Sequence, residues 1–281
     1  MVIKKVEDEI DKKIIALEEN RTNSTGLTKY LPKFNFMKKF LILYYLLLIP
    51  NWAQTVTYFN DGNNKIEGYL SMPKDKSQTA PGIILIHEWW GLNNDIREKA
   101  DYFASQGYAA LAVDLYNGKS TTKAAEARKL AGDVRKNMDN AFTNLNGALD
   151  YLKKQPRVNS QKLASIGWCF GGGWSYQVAK NNLGVKASVI YYGRFNPKDD
   201  FKKMRANIIG HFAKEDRGIS LDNVKEFEAV LKTQKGKHKI YIYPNTTHGF
   251  ASRPSDNPNF DKIASDLALK RTLTFLEESL N

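Results

Sequence analysis

The residues best suited to covalent chemistry surround the single cysteine of this sequence. Cys169 sits in Ser165-Ile166-Gly167-Trp168-Cys169-Phe170-Gly171-Gly172-Gly173, between a run patterned as a strand and one patterned as a helix. A lone cysteine is more often a small packing residue. The glycine-flanked strand-to-helix turn argues otherwise, because G-x-S-x-G in this setting forms a tight elbow that lifts its central side chain above the sheet. A thiol there lies at a helix N-terminus, where negative charge is complemented and backbone N–H groups face a developing oxyanion. Spacing to Gly167, Gly171 and Gly172 does not give G-x-G-x-x-G, so a dinucleotide-binding turn is not expected.

A nucleophile on such an elbow needs an acid and then a base later in the chain. His248, in Asn245-Thr246-Thr247-His248-Gly249-Phe250, follows a strand that ends at Tyr243. Asp216 follows a strand that ends at Phe212, where an acid would orient the imidazole. Glu215 beside it is the competing acid. Of the other histidines, His211 reads as a strand residue and His238 as exposed among lysines. With one cysteine and no H-E-x-x-H spacing, neither an intramolecular disulfide nor a metal site is expected.

Strand and helix periodicity alternate around these residues. Thr55–Phe59 and Lys65–Ser71 flank Asp61-Gly62-Asn63-Asn64 and predict an antiparallel hairpin. Ile83–His87, Tyr108–Val113, Leu163–Gly167, Lys186–Tyr191, Asn207–Phe212 and His238–Tyr243 read as strands, mostly short buried ones. Asp95–Ser105, Thr122–Lys154 with a break near Lys136–Asp139, Gly172–Lys180, Val224–Thr233 and Phe260–Glu278 read as helices. This order predicts an α/β fold: a doubly wound, mostly parallel sheet with an antiparallel N-terminal hairpin.

The chain has 281 residues and a net charge of +12, but its lysines are scattered rather than striped with aromatics. No nucleic-acid partner is expected on that pattern. Met37-Lys38-Lys39, the apolar run Phe40–Pro50 and Ala53 have the three parts of a secretory signal peptide. The apolar run falls short of the ~20 residues of a spanning helix. The expectation is translation from Met37, with a non-native upstream extension over 1–36, a signal peptide over 37–53 and a catalytic domain over 54–281, secreted or periplasmic, without a stable membrane span once cleaved.

Taken with His87-Glu88-Trp89-Trp90-Gly91-Leu92, the Gly-Trp-Cys169-Phe-Gly-Gly elbow, Asp216 and His248-Gly-Phe resemble the dienelactone hydrolase family from about Thr55 to the C-terminus. The resemblance implies an α/β-hydrolase fold, no cofactor or metal, and hydrolysis of a small-molecule ester or lactone through a thioester. It further implies that Glu88 contacts the resting thiol and that the backbone N–H groups of Trp89 and Phe170 form the oxyanion hole. Glu88 also ends an apolar strand, where a carboxylate is costly without a task. Asn117-Gly118 stand where the family carries a substrate-binding arginine after Asp114-Leu115-Tyr116, and Arg253 answers a second such arginine one place late. The resemblance therefore implies thiol-based hydrolysis without assigning the dienelactone itself. A catalytically silent binding protein on the same fold and a thiol peptidase are the competing readings.

Overall fold

The computed structural model describes residues 53–62, 64–252 and 257–281. The expected signal segment up to residue 52 and Arg253 lie outside the described residues. Eight strands form one sheet: β1 (Ala53–Asp61), β2 (Asn64–Ser71), β3 (Ala80–Ile86), β4 (Ala109–Val113), β5 (Val158–Trp168), β6 (Ala187–Tyr191), β7 (Asn207–Ala213) and β8 (Lys239–Tyr243). Their spatial order is β1-β2-β4-β3-β5-β6-β7-β8. β1 and β2 pair antiparallel, as do β2 and β4. From β4 through β8 every pairing is parallel, so the predicted parallel sheet with an antiparallel edge is the one observed.

Alternation along the central strands explains the double winding. In β3, Ile84 and Ile86 join one core while Ile83 and Leu85 join the other, and all four are fully buried. Each such side chain stabilises the fold by roughly 1.5–3 kcal/mol. The first core packs against α2 (Ala124–Lys136), α3 (Met138–Lys153), α4 (Phe170–Lys180) and α5 (Leu221–Thr233). The second packs against α1 (Asn94–Ser105) and α6 (Lys262–Leu280). Asn137, with φ −117° and ψ 58°, breaks the long helical stretch into α2 and α3. Among the described residues, no helix is long and apolar enough to cross a membrane.

Two boundaries differ from the pattern-based reading in ways that matter for the site. β5 starts at Val158 because Val158 and Asn159 pair with Ala80 and Pro81, although the polar run Asn159–Lys162 carries no strand signal. α4 starts at Phe170 rather than Gly172, directly after Cys169. Three consecutive glycines have low helix propensity, but close backbone packing requires small residues here. In parallel α/β sheets, sites form beyond the C-terminal strand ends. Beyond those ends lie Glu88 (β3), Cys169 (β5), Tyr192 (β6), Asp216 (β7) and His248 (β8).

Candidate active site

Cys169 has φ 53° and ψ −112°, an uncommon conformation for a residue with a side chain. Its N–H donates to the Tyr191 carbonyl at 2.9 Å, and its own carbonyl accepts from Gly173 N–H at 3.1 Å, which pins the elbow on both sides. The residue two places before the nucleophile must be glycine: a Cβ on Gly167 would sit 2.0 Å from the Gly171 carbonyl oxygen. Strand end, strained turn and helix start thus present the Cys169 thiol at the edge of a cavity.

His248 Nε2 lies 3.2 Å from Cys169 Sγ. The opposite nitrogen, Nδ1, lies 2.7 Å from Asp216 Oδ2 and donates to it. The second oxygen of Asp216 accepts from the N–H groups of Gly218 at 2.7 Å and Ile219 at 3.1 Å. The Asp216 side chain is 1% exposed and that of His248 39%. The structure therefore separates the two candidate acids. Asp216 reaches the imidazole, whereas exposed Glu215 is joined to the His248 loop through its backbone N–H, which donates to the Thr246 carbonyl at 3.0 Å.

Burial alone would lower the pKa of His248, but hydrogen bonds to Asp216 and Cys169, together with their charges, push it up to about 10. Burial tends to raise Asp216, yet the bond to His248, the imidazolium charge and the two backbone donors hold it below the usual carboxylate range. His248 Nε2 is thereby placed to take or give a proton next to the Cys169 sulfur at the cavity edge.

Glu88 is 8% exposed. Its Oε1 accepts from the Ser252 hydroxyl at 2.6 Å and from the Tyr192 hydroxyl at 3.2 Å. Burial raises its pKa and the Ser252 bond opposes that rise. The contact with the resting thiol implied by the resemblance is not made: among the described residues, no hydrogen bond joins Glu88 to Cys169. The thiol turns to His248, and two hydroxyls satisfy the buried carboxylate instead. Tyr192 and Ser252 escape sequence reasoning. Tyr192 lies one residue past β6 with φ 37°, and its ring packs edge-on to His248 at 5.1 Å, but nothing in Tyr191-Tyr192-Gly193 marks it.

Trp89 and Phe170 both line the cavity. Among the described residues, neither backbone N–H is taken by a protein acceptor, so both are available to an oxyanion. The cavity has a volume of ≈ 1010 Å³. Among the described residues, no group of three or more His, Cys, Asp or Glu side chains could hold a metal ion. His87 is fully buried; its Nε2 accepts from Leu115 N–H at 3.2 Å and its Nδ1 lies 2.5 Å from the Glu88 carbonyl, a brace for the strand end. His211 is a buried strand residue between Tyr243 and Thr272. His238, expected to be exposed, is half-buried. Its Nδ1 accepts from Ile208 N–H at 3.2 Å because the chain entering β8 folds over the start of β7.

The family model of the dienelactone hydrolase family matches residues 66–280. "Protein usf" of Aquifex pyrophilus is 30% identical over 228 residues, covering 79% of this chain and 97% of that protein. A carboxymethylenebutenolidase homolog of Xenopus tropicalis is 28% identical over 222 residues, covering 77% of this chain and 88% of that one. A crystal structure of a dienelactone hydrolase-like promiscuous phosphotriesterase from metagenomic libraries shares the fold, with a TM-score of 0.74 at 23% identity, over 82% of this chain and 98% of that chain. With three quarters of its length matched by the family model and the glycine-braced elbow in place, this chain belongs to the dienelactone hydrolase family.

Proposed function

We propose that this protein hydrolyses a carboxylic ester or lactone through a thioester on Cys169. The observation that carries the reading is the aligned series Asp216–His248–Cys169, at 2.7 and 3.2 Å, on a strained elbow. Cys169 Sγ attacks the ester carbonyl carbon as its proton passes to His248 Nε2, and the negative charge moves to the carbonyl oxygen, facing the N–H groups of Trp89 and Phe170. Collapse of that intermediate breaks the C–O bond, and the leaving alkoxide takes the proton from His248 Nε2. Water then attacks the thioester, giving its proton to His248; the acid departs and the imidazole returns that proton to the sulfur. Asp216 holds the ring in the required orientation throughout. Glu88, braced by Tyr192 and Ser252, places a buried carboxylate next to Trp89 and stiffens that arm of the oxyanion site.

The test is intact-mass analysis after acid quench during turnover of a poor aryl ester or lactone. The expected result is one acyl mass on the peptide that contains Cys169. Turnover without any acyl adduct under saturating substrate would overturn the thioester step. Failure to cleave aryl esters and lactones would favour a silent binding protein, and cleavage of peptides but not esters a thiol peptidase.

Export belongs to the same proposal. β1 starts at Ala53, so a cut near this residue would leave the sheet whole apart from its first residue. N-terminal sequencing of protein from its native cell is expected to begin near Gln54. A product retaining Lys4 and Lys5 would overturn both the start at Met37 and the export reading.

A further inference from the structure

The walls of the cavity carry a charge pattern that the hydrolytic residues do not need. Among the described residues, Arg128, Arg135, Arg194 and Arg217 line it without a lysine, and Glu215 is the one acid there besides Asp216. All four arginines are exposed, and none has an ion pair or hydrogen bond within the described residues. They come from three separate parts of the fold: α2, the segment after β6 and the segment after β7.

The arrangement on α2 follows from helix geometry. Arg128, Ala131 and Arg135 are spaced i, i+3, i+7, so they share one face. Ala131, 1% exposed, lines the cavity between the two arginines in sequence and adds no polar group there. Seven residues of α-helix separate those two side chains by about 10 Å along the axis. Arg135 also lies over the Phe170 ring, with Cζ 5.4 Å from its centroid, which ties one cation to the residue that follows the nucleophile. At ≈ 1010 Å³ the cavity lies at the upper end of the about 300–1,000 Å³ that accommodates drug-sized ligands. A single small lactone ring would leave most of it to water.

The geometry points to a substrate that is an extended ester bearing two or more oxyanion groups, read by Arg128 and Arg135 of α2 together with Arg194 and Arg217. Guanidinium groups suit carboxylate, phosphate and sulfate alike, since each offers paired oxygens to the planar fork. Grouped around one cleft, they also concentrate anions from solution and speed capture. This selectivity uses positions other than Asn117-Gly118 and Arg253, and it rests on the hydrolase reading above.

Two measurements test it. The first compares kcat/KM for p-nitrophenyl esters whose acyl part is neutral, singly anionic, doubly anionic (a tricarballylate monoester) or cationic. The doubly anionic ester is expected to exceed the neutral one by at least about tenfold at low salt, with the advantage shrinking as salt rises. Arg135→Gln and Arg194→Gln should each lower the dianion-to-neutral ratio by roughly threefold to tenfold. The second measures protection of Cys169 from iodoacetamide by free tricarballylate against an uncharged triester, which needs no turnover. Protection by the trianion without cleavage of any ester would overturn the hydrolase reading and, with it, the assignment of the bound anion as a substrate. Cleavage of neutral esters with no preference for anionic ones, and no protection, would overturn this one alone. So would arginine variants that slow all four esters by the same factor.

Discussion

Replacing Cys169 with alanine should lower kcat/KM for any ester this protein cleaves by roughly four orders of magnitude or more, as expected when a covalent nucleophile is lost. The alanine fits the elbow as well as cysteine does, since the strain at φ 53° lies in the backbone and not in the thiol. Folding should therefore be retained, and circular dichroism would check it. Cys169→Ser should also be slow, because a hydroxyl is a weaker acid than a thiol and needs a stronger base to become a nucleophile. Wild-type rates in the alanine variant would remove Cys169 from the mechanism.

The same variant carries a signature in pH. With its pKa raised to about 10 from an ordinary value near 6.5, His248 contributes stability that is fully present below the unfolded pKa. That contribution declines above it and is lost as pH passes the folded value. Asp216, held low, acts in the opposite sense: its contribution is present above the ordinary carboxylate range and is lost as acid protonates it. Because Cys169 supplies part of the upward pull on His248, Cys169→Ala should move the alkaline limb of the stability profile to lower pH and leave the acid limb in place. Thermal melts from about pH 2 to about pH 11 in both proteins would measure this, a range that takes in the carboxylate titration and that of His248. An unmoved alkaline limb would mean that Asp216 alone holds the imidazolium.

Gly171→Ala should be among the most damaging substitutions to the fold. A Cβ there would lie 2.1 Å from the Ile86 carbonyl oxygen and 2.5 Å from that of His87. Both are backbone atoms in the last turn of space between β3 and α4, so no side chain can swing aside. Relief requires α4 to lift away from the sheet, opening the packing of Phe170 and Trp174 and shifting the elbow. A cost of roughly 3 kcal/mol or more is expected, at the top of the usual range for overpacking, because the clash is with backbone. For a domain of this size that corresponds to a fall in Tm of about 10 °C. Gly132→Ala, at a half-buried position of α2 with nothing within 4 Å of an added Cβ, should stabilise slightly by helix propensity. Equal Tm values for Gly171→Ala and the wild type would show that α4 does not press on β3 as described.

The elbow illustrates how much was legible along the chain. A glycine two places before Cys169 and another two places after it carry a backbone requirement that is local, so the turn could be read without knowing what packs on it. The alternation of short apolar runs with helical periodicity likewise announced a doubly wound sheet, because burial on both faces leaves almost no polar residue in β3 or β4. His248 and Asp216 followed from chain order, which is set by the sequence in which strands end at the catalytic edge.

Other features are decided by contacts between distant segments. Glu88 meets Ser252 across 164 residues and Tyr192 across 104, and only the folded distances show that these hydroxyls, not the thiol, satisfy its charge. The choice between Glu215 and Asp216 turned on which neighbour faces inward after β7, a matter of one residue's rotation that composition does not encode. The four arginines are scattered from Arg128 to Arg217 and form no motif; the sheet and α2 bring them to one cavity. Residue type and local spacing determined the nucleophile, its turn and the fold around it, because those depend on backbone geometry and periodic burial. Partner choice and charge around the cavity depend on where side chains from separate strand ends converge, and that was set by tertiary structure alone.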